Sequence, residues 1–313
     1  MKQLCPSILL ASLYFLLAPT GEVVAQDDEP GFTTSDTNVG YIDSAIPATQ
    51  FRLRIDSAFD NPTPDRAEFF YRASMSATGD PLSPAETNVD YNDVTSYFEL
   101  AFSPDSSVFL EAPFRFLNPE LNDNVSGFGD LMVGAKTVLW RDPSQIYTGQ
   151  FRVYLPTGDD DRLLGTDHVS LEPSLLAAHR LGPMTMLESE LRLWIPIDGT
   201  EFAGEQFSGP IIRFGLGLGR DLYRETSACD CETKRLTAVA ELVGWSILDG
   251  LATVPASPSL ARLIDVTDDT IVNAKLGLRW TDDNQSVFIG YGQALTGDVW
   301  YHNIVRAEYV IRF

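Results

Sequence analysis

The sequence predicts an all-β protein: a single antiparallel transmembrane β-barrel of twelve to fourteen strands, with short periplasmic turns and longer outer loops. Three observations predict it. Long runs of the chain alternate apolar and polar residues. The N-terminus reads as an export leader. Beyond that leader, no window approaches the roughly 20 apolar residues of a membrane-spanning helix. The last run shows the alternation plainly: Val305, Ala307, Tyr309, Ile311 and Phe313 share one face, and Arg306, Glu308 and Arg312 share the other. A period of two is a strand with one wet and one apolar face. Repeated along an exported chain, it is the pattern of a barrel with lipid outside and a polar interior.

The elements follow in chain order. Lys2 supplies the positive region of a signal peptide, Ile8 to Ala18 the apolar stretch, and Val23-Val24-Ala25 a small-residue cleavage site. Residues 1–25 are therefore expected to be removed. Residues 26–50 form an N-terminal segment, either an extra strand or a segment threading the lumen. Residues 51–313 form the barrel. The net charge of −22 argues against a nucleic-acid partner, because phosphates need a basic surface. After cleavage only Cys229 and Cys231 remain. Cysteines one residue apart close only a strained ring, so no disulfide framework is expected.

Thirteen candidate strands are read at 51–59, 66–75, 93–102, 107–116, 128–140, 146–156, 168–180, 184–196, 210–222, 235–248, 270–281, 285–296 and 302–313. Connections at 60–65, 103–106, 141–145, 181–183 and 282–284 are short, and those at 76–92, 117–127, 157–167, 197–209 and 249–269 are longer. Short periplasmic turns alternating with long outer loops mark an outer-membrane barrel. With thirteen strands and Phe313 in the periplasm, 51–59 runs downward from outside. An even count then needs one strand added or one removed.

The alternation assigns faces. Phe51, Leu53 and Ile55 face lipid, as do Leu276, Leu278 and Trp280. The lumen receives Arg52, Arg54, Glu99, Glu111, Arg115, Lys136, Arg152, Glu172, Glu190, Arg192, Arg213, Lys275, Arg279, Arg306 and Glu308, joined by Asp56, Glu68, Arg72, Glu188, Glu241 and Arg312. Two readings of these charges are compatible: ion pairs that brace neighbouring strands, and a lining for a permeation path.

Among the motifs, Thr-Gly-Asp recurs at 78–80, 157–159 and 296–298. It reads first as turn chemistry, with an acidic rim for divalent cations as the alternative; the spacing of a calcium loop is absent. Gly215-Leu216-Gly217-Leu218-Gly219 lacks the spacing of a nucleotide fingerprint. Three bare positions on one lumen-facing row suit a sharply curved strand or the close approach of an inner segment. His168, His179 and His302 are the three histidines available for catalysis. His302-Asn303 is the one His-Asn pair, as an outer-membrane phospholipase would use, but no matching serine or G-x-S-x-G accompanies it. No enzyme, cofactor or metal is expected.

Three segments then point to a family. Gly127-Phe128-Gly129-Asp130-Leu131-Met132-Val133-Gly134-Ala135-Lys136 resembles the G-x-G-D strand of the outer-membrane family named for the meta-pathway of phenol degradation. Leu155-Pro156-Thr157-Gly158-Asp159 resembles its P-T-G-D strand end, and Leu171 to Leu176 its next strand. The resemblance implies an outer-membrane barrel that helps small hydrophobic or aromatic compounds cross. The expected function is a passive channel or uptake porin; the alternatives are a structural or adhesive barrel with a plugged lumen, then a lipid-active enzyme. Expected partners are outer-membrane lipid, a small-molecule solute, and the assembly machinery that reads the C-terminal strand.

Overall fold

The computed structural model describes residues 31–62, 86–199, 201–202, 205–226, 233–257, 260–297 and 299–313. The leader, Glu68, Arg72, Gly79, Cys229, Cys231 and Asp298 lie outside the described residues. No described helix is long and apolar enough to cross a membrane.

Twelve antiparallel strands close into a barrel. They are β1 (Gln50–Phe59), β2 (Val89–Ser103), β3 (Ser106–Pro119), β4 (Val125–Phe128 continued by Leu131–Arg141), β5 (Gln145–Leu155) and β6 (Ser170–Gly182). The second half is β7 (Thr185–Pro196), β8 (Ile211–Thr226), β9 (Thr233–Ile247), β10 (Thr270–Asp282), β11 (Gln285–Ala294) and β12 (Asn303–Arg312). Each strand pairs with its sequence neighbours, and β1 closes the ring on β12 through Phe51↔Ile311 and Leu53↔Tyr309. Both pieces of β4 pair with β3, Phe128 opposite Phe114 and Met132 opposite Glu111. They form one strand interrupted at Gly129-Asp130.

The count of twelve is the lower end of the expected range, reached by removing one candidate strand, and with it the direction of β1 differs from that of the thirteen-strand reading. Residues 66–75 lie outside the described residues, yet β1 pairs β2 directly from Gln50↔Glu99 to Ala58↔Tyr91. No strand stands between them. Gln50 also pairs Arg312, so β1 runs upward from the end where the chain finishes. The connection at 60–65, read as a short turn, therefore belongs to the loop end. A second departure lies in the loop 249–269, which holds a two-stranded hairpin, Leu251–Ser257 with Leu260–Asp265. Its prolines and acidic residues read as loop chemistry, and only cross-strand pairing makes it a hairpin.

Strand phase follows the alternation. Leu276 is 67% exposed and Leu278 51%, whereas Lys275 and Arg279 are buried. On β3, Val108, Leu110 and Phe116 point out, and Glu111 and Arg115 point in. The outer face carries paired aromatics near the turn end, Trp140 tilted against Tyr147 and Tyr223 stacked on Trp280. Such rings sit where bilayer meets water. Leu276→Arg on this face should block membrane assembly, since a lipid-facing arginine costs roughly 2–4 kcal/mol near midplane. Loss of the heat-modifiable folded band in lipid would show it; a wild-type band would refute the phase.

At the loop end, the Glu86 carboxylate accepts hydrogen bonds from the backbone N–H groups of Thr87, Asn88, Glu120, Leu121 and Asn122 at 2.9–3.2 Å, and from the Asn122 amide at 3.0 Å. Burial pushes its pKa up, but the Asn122 side chain and these amides outweigh it, and the carboxyl lies below its ordinary range. A depressed carboxylate pKa adds stability above the unfolded value and loses it as pH falls through the folded one. The clasp should therefore hold at neutral pH and open below about pH 4.5, the ordinary Glu range. Hydrogen exchange at Leu121 and Asn122, compared with Glu86→Gln, tests this.

Candidate functional site: the occupied lumen

The barrel interior is filled by the chain's own N-terminal segment. Residues 38–48 are all buried. The segment begins beside the turn end, where Asp36 meets Arg180 and Arg235. It rises to an apex at Tyr41–Asp43 and descends to Gln50, the start of β1.

No described backbone group of residues 38–48 pairs with a strand backbone. Wall side chains take that role. Glu188 accepts the N–H groups of Asn38 and Val39, Glu241 those of Gly40, Tyr41 and Ile42, Glu190 that of Asp43, and Glu99 that of Ala48. In the other direction, Arg279 donates to the carbonyls of Asn38 (3.0 Å) and Val39 (2.6 Å), and Arg306 to that of Gly40 (2.6 Å). Arg213 donates to the Tyr41 carbonyl at 2.6 Å and Thr148 to that of Ala45 at 2.5 Å. The glycine row on β8 admits the segment. A Cβ at Gly215, Gly217 or Gly219 would lie 2.3, 2.5 or 2.6 Å from atoms of Ile42, Val39 and Asn38. Of the two readings of that row, close approach of an inner segment is the one seen.

Most of the predicted interior charges among the described residues are ion-paired. Arg306 grips Asp56 through two contacts at 2.6 and 2.7 Å. Arg279 reaches Glu308 at 2.8 Å, and Arg52 reaches Glu308 at 3.8 Å. Arg54 meets Glu111 at 2.8 Å, and Arg213 meets Glu190 at 2.9 Å. Arg152 and Arg192 share Glu172 at 3.2 and 3.4 Å. Lys136 lies 3.4 Å from Glu99, and Lys275 lies over the Tyr41 ring. Arg115 pairs with Asp93 at 3.6 Å and donates to the Leu164 carbonyl. Sequence reasoning missed Asp93 and Arg235, although each shares its strand's inward parity with Glu99 or Glu241. It also missed Asp43, which belongs to no strand and carries no periodic signal.

The segments singled out in the sequence join here. Asp130, buried where β4 breaks, accepts from the Gly158 and Thr166 amides at 2.9 and 2.8 Å and from the Thr166 hydroxyl at 2.8 Å. This folds the loop after β5 inward and buries Leu163 and Leu164 at the barrel mouth. In the two Thr-Gly-Asp copies whose threonine is described, its hydroxyl takes a neighbouring strand's N–H, Leu131 to Thr157 and Val272 to Thr296. The histidines do not assemble. His168 packs on Trp194, His179 on Tyr147 at the outer girdle, and His302 is exposed. Burial holds the His168 imidazole below its ordinary pKa. Its Nδ1 lies 2.8 Å from the Thr166 carbonyl. Asp130→Ala should release this loop, giving faster proteolysis between Asp159 and Asp167 with the barrel intact. Unchanged cleavage would show that Asp130 is not its anchor.

A cavity of about 80 Å³ lies against the apex, lined by Tyr41, Asp43, Arg54, Asp56, Arg152 and Arg192 among others. That is room for a few waters.

Barrel and filled lumen together define a plugged β-barrel of the outer-membrane type. Residues 47–189 match the family model described as "Putative MetA-pathway of phenol degradation". Among solved structures, the fold is similar to an outer membrane channel from Pseudomonas putida F1, with a TM-score of 0.51 at 11% identity over 89% of this chain and 100% of that one. The β domain of the Bordetella autotransporter BrkA gives a TM-score of 0.49 at 12% identity, covering 85% of this chain and 100% of that one. The KdgM porin gives 0.43 at 8% identity, covering 84% and 99%. At these identities the likeness is one of fold. No curated protein matches the sequence.

Proposed function

We propose that this chain is an exported outer-membrane channel for the passive passage of small solutes, hydrophobic or aromatic ones among them. Residues 32–49 act as its gate. One observation carries the reading: residues 38–48 fill the lumen but pair with no strand, and wall side chains hold them throughout. A strand in the ladder would be a permanent part of the wall. A segment held by side-chain hydrogen bonds, each worth about 0.5–3 kcal/mol net, can leave while the barrel stays closed. The charges it leaves behind then line the path. The sheer number of those bonds favours a second reading, a structural barrel with a permanent plug. Single-channel recording of the refolded mature chain separates them. Discrete openings are expected; a folded protein that never conducts is the structural barrel.

Residues 1–25 are assigned as the cleaved leader, and the C-terminal strand as the element read by the assembly machinery. An edge strand with one apolar face can add to another sheet. Phe313 is largely exposed, and only its N–H is tied back, to the Thr49 carbonyl. Deleting it should sharply reduce outer-membrane abundance in cells while thermal unfolding in detergent changes little. Unchanged abundance would remove this role.

A further inference from the structure

We propose that Arg152 and Arg192 form a binding site for the carboxylate of an organic anion, and that Asp43 occupies it as a tethered stand-in. This rests on the reading of the barrel as a gated channel and names the solute class that its lumen takes.

Asp43 is the carboxylate at the apex of the inner segment. Its Oδ2 accepts from Arg152 Nη2 at 2.8 Å, Arg192 Nη2 at 2.9 Å and Gln150 Nε2 at 3.1 Å, and its Oδ1 lies 3.9 Å from Arg52. Gln150 and Arg152 are successive inward residues of β5, and Arg192 comes from β7. All three donors are buried. They belong to the wall, whereas the carboxylate they hold belongs to the part that would move. Without it, Arg152 keeps Glu172 at 3.2 Å and Glu111 at 3.6 Å, and Arg192 keeps Glu172 at 3.4 Å and Glu190 at 2.5 Å, but the Arg152 Nη2 and Gln150 Nε2 donors lose the acceptor they share. A buried donor left without its acceptor is unfavourable, so a soluble carboxylate gains there what Asp43 gives up.

The surroundings define the rest of the ligand. The Arg152 guanidinium lies 5.4 Å from the Phe109 ring, which stacks on Tyr97 at 5.4 Å, and Arg52 lies 4.2 Å over Tyr97. Those rings back the guanidinium groups, and the cavity itself is lined by the aromatic side chains of Tyr91, Tyr154, Trp245 and Tyr301, which an apolar, flat body attached to the carboxylate would meet. The cavity against the apex adjoins this contact, since Asp43, Arg152 and Arg192 all line it. A short tether presents its own carboxylate at millimolar effective concentration, so a competing anion acts in that range.

The test is single-channel recording of the refolded mature chain in potassium chloride, with benzoate and its neutral analogue benzamide as probes. In Asp43→Asn, millimolar benzoate should block the open current in a concentration-dependent way and benzamide should not. Arg152→Gln in that background should weaken the block at least tenfold. In the wild type, benzoate should raise the open fraction by competing with Asp43, which decides the matter if the variant does not fold. A conducting channel on which benzoate and benzamide act alike overturns the site and leaves the channel reading standing. Folded protein that never conducts overturns the channel reading itself, and the site with it.

Discussion

Gly217→Leu is expected to convert the closed barrel into a frequently open one. A Cβ at this position would lie 2.5 Å from Val39 and 3.2 Å from the Glu241 side chain. The wall strand is fixed by ladders on both sides, Gly217 opposite Glu188 on one and Glu241 on the other. The inner segment has no ladder, so it is the part that gives way. Overpacking of this kind typically costs about 1–3 kcal/mol. Placed on the closed state alone, that corresponds to roughly a 5–150-fold rise in the open-to-closed ratio. Leu218→Val, one residue away on the lipid face, is the control and should leave gating unchanged. Equal open fractions in Gly217→Leu and wild type would mean that the segment is not the gate.

Arg306→Ala should give the largest loss of stability. Arg306 makes two contacts with Asp56, donates to the Gly40 carbonyl and lies 4.3 Å over the Tyr41 ring. Without it, Asp56 keeps only Arg54 at 3.4 Å. Breaking a buried pair by removing one partner costs about 3–5 kcal/mol, most of it from the stranded charge. Denaturant unfolding in detergent measures the loss. Asp56→Asn in the same background should recover much of it, because the stranded charge is then gone. Failure of that rescue would mean that Arg306 stabilises the barrel through the plug alone.

The wall was legible in the sequence because its physics is local and periodic. Hydrocarbon outside and polar packing inside force a period of two, so Leu276, Lys275, Glu111 and Arg192 could each be assigned a face from parity alone. The C-terminal eleven strands were placed within a few residues for the same reason. The inner segment was not legible in that way. Asn38 to Ala48 follows no period, since its backbone is satisfied by side chains from strands far along the chain rather than by a neighbour in a ladder. The sequence offered a lumen-threading segment at 26–50 only as an alternative to an extra strand, and the row Gly215, Gly217 and Gly219 suited either an inner segment or a sharply curved strand.

By itself, then, the sequence determined the class of fold, the inward and outward faces and many of the interior charges of the wall. Each follows from solvent acting on single residues or adjacent ones. The tertiary structure decided the strand count, the direction of β1, and the place of Asp43 among Arg152, Arg192 and Gln150. Those depend on which strands close the ring and on contacts across the lumen, between residues more than a hundred positions apart. No local pattern encodes such a pairing. It exists only once the barrel has closed around the segment that precedes it.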